Sequence, residues 1–62
     1  PTHPKPYYNL ACVYALQGKK REAIPWLKKS FDLNPDLRLE AAADPDLDTL
    51  RNDPAFQTLL KP

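Results

Sequence analysis

Only one cysteine, Cys12, interrupts the chain, so no internal disulfide can form. The single histidine, His3, is its only imidazole, and one Cys with one His falls short of the four ligands of a structural zinc site. Methionine is absent, so Pro1 does not read as a translation start, and the sequence reads as a piece of a longer protein or a processed chain. No apolar run approaches the roughly 20 residues of a membrane span, and no stretch reads as a secretory signal. A lone thiol fits a reducing, cytoplasmic compartment. At 62 residues there is room for one small domain. A core of that size supplies only about 3–5 kcal/mol, with no covalent reinforcement to add to it.

Charge and proline are present, and both are patterned. Residues 1–34 carry six Lys/Arg against two Asp/Glu, a net +4, and residues 35–62 carry three against six, a net −3. Such halves attract each other within a chain or between chains, although exposed pairs contribute little. Pro1, Pro4 and Pro6 crowd the first six residues, so residues 1–5 read as a lead-in, and Pro6 suits the first turn of a helix. Tyr7, Leu10, Ala11 and Tyr14 then recur at i, i+3, i+4 and i+7, which predicts a helix from Pro6 to about Gln17. The only glycine, Gly18, ends it, because glycine adopts the left-handed conformation without strain. Ala23, Leu27, Ser30 and Phe31 predict a second helix from about Arg21 to Leu33, closed by Asn34-Pro35. Pro25 lies near its start and predicts a slight bend. Tyr7, Leu10, Ala11, Tyr14, Ala23, Leu27 and Phe31 are the expected core.

Residues 36–43 predict a short third helix. Asp44-Pro45 and Asp53-Pro54 then each read as an N-cap followed by Pro at the first helical position. Leu47 and Leu50 give the first of these short helices an apolar edge; Phe56, Leu59 and Leu60 do the same for the second.

The series Tyr7-x-x-Leu10-Ala11-x-x-Tyr14, Gly18, Ala23-x-x-x-Leu27, Ser30 and Pro35 resembles one tetratricopeptide repeat, with Tyr7 where the family usually has Trp. The stretch from Asp44 to Leu60 resembles the tail that closes bacterial-type members of this family. The resemblance implies an all-α fold: a helical hairpin over residues 6–35, then a short helix and capping helices over residues 36–62. A terminal repeat needs such a cap to cover its last apolar face. The implied function is protein–protein interaction, as the C-terminal end of a repeat array that acts as a scaffold or peptide-binding surface. The alternatives are a purely structural cap or self-association segment, and a non-catalytic appendage of a larger enzyme. In such arrays the first helix of each pair lines the concave surface, which carries the groove positions onto Lys5, Tyr8, Asn9, Cys12 and Leu16. Lys5 would meet a carboxylate, Asn9 a peptide backbone and Tyr8 an apolar side chain. Equally, Tyr8 and Leu16 would pack on a preceding repeat, or Tyr8, Cys12 and Leu16 on a second copy of the chain.

No constellation supports catalysis or a cofactor. Asp44, Asp46 and Asp48 are spaced like part of a calcium loop, but its glycine and closing glutamate are missing, so no metal is expected. Cys12 has no His or base at helical spacing, and His3 sits in the lead-in. Lys19-Lys20-Arg21 occupies the expected turn without interleaved aromatics, so nucleic acid is not an expected partner. The expected partner is a protein or peptide, or a second copy in a homo-oligomer, and no membrane.

Overall fold

A computed structural model describes residues 3–61. Pro1 and Thr2 of the lead-in and Pro62 of the tail lie outside the described residues. The order of elements is α1 (Lys5–Leu16), α2 (Lys20–Leu33), α3 (Leu37–Ala43), a 3-10 helix η1 (Pro45–Leu50) and α4 (Pro54–Leu60). The fold is all-α, an antiparallel hairpin of α1 and α2 followed by three short helices that wrap back onto it.

The turn between α1 and α2 is built by its glycine. Gly18 has φ +76°, and its N–H donates to the Ala15 carbonyl at 3.0 Å while Lys19 N–H donates to Tyr14 at 2.9 Å. These two bonds satisfy carbonyls that the helix end would otherwise leave unpaired. Pro25 is the sixth residue of α2, one turn and a half inside it. Its missing N–H leaves the Arg21 carbonyl without the usual helical donor, yet the helix continues to Leu33.

Small residues let the two helices approach. Ala11 and Ala15 of α1 and Ala23 of α2 are fully buried, and so is Ser30, whose hydroxyl donates to the Leu27 carbonyl at 2.8 Å. Leu27, Phe31, Leu37, Leu47, Leu50 and Phe56 fill the remaining core. The expected core is thus seen at Ala11, Ala23, Leu27 and Phe31. Tyr7, Leu10 and Tyr14 correct it: they are only half-buried. The buried stripe of α1 runs one residue further on, at Tyr8, Ala11, Cys12 and Ala15. The physical reason is that α2 and η1 cover α1 most closely along Tyr8, Ala11, Cys12 and Ala15, while Tyr7, Leu10 and Tyr14 lie at the edge of that cover.

Both Asp-Pro steps cap as expected. Asp44 Oδ1 accepts from Asp46 N–H at 2.9 Å, and Asp53 Oδ1 accepts from Ala55 N–H at 2.8 Å. Arg51 fastens the tail. Its guanidinium donates to the Ala42 and Asp44 carbonyls and to Asp48 Oδ1. Thr49 adds a link across the fold by donating to the Ala15 carbonyl, the last turn of α1, at 2.9 Å.

Candidate partner-binding surface

At about 100° per residue, the surface of α1 divides into three arcs. Ala11, Ala15, Tyr8 and Cys12 fill the arc under α2 and η1. Lys5, Leu16, Asn9 and Val13 follow on an open ridge; Leu16 is 63% exposed and Val13 47%. Leu10, Tyr14 and Tyr7 complete the circle as a half-buried apolar arc.

The five residues that the repeat pattern carries to the groove therefore split into two groups. Lys5, Asn9 and Leu16 are exposed and lie within about 40° of one another on the helix wheel. Tyr8 and Cys12 lie beside them but under the tail, 5% and 8% exposed. The cover on this side is η1, which packs on α1, and Asp44 at its start, which bonds Tyr8. Neither Tyr8 nor Cys12 offers a face to a second copy or a preceding repeat while η1 is in place.

The polar chemistry under the tail is concentrated at its first turn. Tyr8 Oη donates to Asp44 Oδ2 at 2.8 Å. Burial, and then the hydrogen bond and charge of Asp44, push the Tyr8 phenol above the usual tyrosine range. The Cys12 thiol is pushed up to about 11 by burial first and then by the charges of Asp44 and Asp46. It is therefore a neutral thiol at ordinary pH, and a poor nucleophile. Asp48, the third acid of the calcium-like spacing, is drawn away by Arg51 at 2.9 Å.

On the half-buried arc, Tyr7 stacks on Trp26 of α2, with ring centroids 5.8 Å apart and planes 8° from parallel. Lys29 Nζ lies 4.7 Å from the Tyr7 ring centroid. The pair was not foreseen from sequence. The signal was there, since Trp26 precedes the core residue Leu27 by one position and so sits at its flank. His3 is exposed, as are Lys19, Lys20 and Arg21 at the turn. A cleft of about 360 Å³ between α2 and α4 is lined by Lys20, Arg21, Ile24, Pro25, Asp53 and Ala55. No described helix is long and apolar enough to cross a membrane.

The family model described as Tetratricopeptide repeat matches residues 4–37, more than half of the chain. The chain belongs to the tetratricopeptide repeat family. Its matched span covers α1, α2 and the turn into α3, the part whose spacing carried the resemblance. No curated protein and no solved structure matches it. Tetratricopeptide repeats are in general protein–protein interaction modules, and the family is typically non-catalytic.

Proposed function

We propose that the chain is the C-terminal end of a tetratricopeptide array, and that it holds a protein or peptide partner on the ridge of Lys5, Asn9 and Leu16. One observation carries this reading. The tail buries the Tyr8–Cys12 side of α1 and stops at its edge, leaving a cation, an amide and an apolar side chain aligned and open to solvent. Those are the three kinds of group an extended peptide needs, one each for a carboxylate, a backbone amide and a side chain. The cytoplasm, where a free buried thiol persists, is the proposed compartment.

A second reading is favoured by the Tyr7–Trp26 stack: the chain acts as a structural cap or self-association segment whose apolar arc meets another repeat or a second copy. The two readings use different arcs of α1, so one experiment separates them. A photo-crosslinking side chain is placed at position 9, at position 26, or at Asn52 in the exposed tail as a control. Heterologous protein adducts from position 9, absent from position 52, support the ridge. Adducts from position 26 alone, to another copy, support the cap. Equal labelling from 9 and 52 removes the ridge as a site.

A further inference from the structure

The fold brings together three donors that lie far apart in sequence. Cys12 Sγ and a carboxylate oxygen from each of Asp44 and Asp46 all lie within 4.8 Å of one another. We propose that Cys12, Asp44 and Asp46 form a site for a borderline divalent metal ion of the zinc class, which clips the tail onto α1.

The buried thiol is what distinguishes this cluster from an ordinary acidic surface. Cys12 is more than nine-tenths buried, has no hydrogen-bond partner among the described residues, and reaches into the pair of carboxylates. Asp44 is already oriented: Oδ2 accepts from Tyr8 Oη at 2.8 Å and Oδ1 from Asp46 N–H at 2.9 Å. Each oxygen keeps a further lone pair for an ion, and outer hydrogen bonds of this kind hold a ligating carboxylate in place. Asp46 is exposed, and its carboxylate already lies within 4.8 Å of the other two donors.

Coordination chemistry selects the ion. With metal–ligand bonds of about 2.0–2.3 Å, tetrahedral donors stand roughly 3.3–3.8 Å apart, so donors that lie within 4.8 Å of one another close by at most about 1.5 Å. Water on the open Asp46 side completes the shell. One thiolate with two carboxylates suits zinc, cobalt or cadmium. Calcium and magnesium want six or more oxygens and gain nothing from sulfur. On binding, the Cys12 S–H bond breaks, its proton passes to solvent, and the sulfur–metal bond forms. The ion then joins α1 to the first turn of η1, beside the Tyr8–Asp44 bond that already spans the same gap.

The test titrates the chain with cadmium or zinc, reading the ultraviolet thiolate-to-metal absorption and the melting temperature, with calcium as control. The expected result is one ion per chain, a new absorption band, a higher melting temperature with zinc and no change with calcium. Cys12→Ser should abolish the band and weaken binding at least tenfold, the scale on which even indirect supporting groups count. Asp46→Asn should weaken it, while Asp48→Asn, outside the cluster, should bind as the parent does. A parent chain without the band at millimolar metal overturns the proposal, as does equal affinity in Cys12→Ser. Should Cys12→Ser fail to fold, unchanged affinity in the exposed Asp46→Asn variant overturns it alone.

Discussion

Tyr8 Oη donates to Asp44 Oδ2 at 2.8 Å across 36 positions of sequence, and this bond joins the first helix to the start of the tail. Asp44 does two tasks at once, because its other oxygen caps η1. Tyr8→Phe should therefore lower stability by about 1.5–3 kcal/mol, the scale of a hydrogen bond to a charged group. Asp44→Ala should lower it more, since it also removes a cap that contributes about 0.5–2 kcal/mol. Urea or thermal unfolding measures both. No loss in Tyr8→Phe would mean that the pair does not hold the tail, and equal losses in the two variants would mean that the cap adds nothing.

The chain should lose stability in alkali. Folding keeps the Cys12 thiol neutral, with its ordinary value of 9.0 raised to about 11, and it raises the Tyr8 phenol too. The unfolded chain ionises Cys12 near its ordinary value while the folded chain does not. The stabilisation from Cys12 is thus fully present below about pH 9 and is lost as pH climbs to about 11, with Tyr8 extending the decline. The Cys12 share is on the order of 2 kcal/mol. Melting temperatures taken between pH 8 and 11 with a chelator present should fall, and Cys12→Ala should flatten the first part of the curve. A parent profile flat over that range defeats the prediction.

Core and surface leucines should behave differently. Leu27 is fully buried, and Leu27→Ala should cost about 2–5 kcal/mol, enough to unfold most of so small a domain. Leu39 is 77% exposed, and Leu39→Ala should stay within about 0.5 kcal/mol of the parent. Similar melting temperatures for the two variants would contradict the packing described here.

The hairpin was legible because local chemistry decided it. Gly18 is the only residue able to take φ +76° without strain, and the small side chains at 11, 23 and 30 predict close helices wherever the tail goes. The two Asp-Pro steps were legible for the same reason, each cap being settled within three residues. The rotation of α1 was not. Tyr7 and Tyr8 are adjacent and chemically alike, and which one is buried depends on where η1 lands, some forty residues later. The cluster of Cys12 with Asp44 and Asp46 was hidden in the same way. Helical spacing around Cys12 shows no partner, because its neighbours arrive from the tail.

The arc that the tail leaves open sets the last expectation. Sequence spacing placed self-association on a face of Tyr8, Cys12 and Leu16, but η1 already covers two of those three. The remaining apolar arc holds Tyr7, Leu10 and Tyr14 beside Trp26, all half-buried. A stripe this narrow favours weak pairing, because ordering two surfaces offsets much of what a small apolar contact contributes. Sedimentation should show a monomer at micromolar concentration and reversible association towards millimolar. Leu10→Glu should abolish that association, since it puts a charge in the middle of the arc. Tyr8→Phe should leave it unchanged, because Tyr8 lies under the tail. A parent chain that stays monomeric to millimolar concentration, or association that persists in Leu10→Glu, would show that this arc is not the contact.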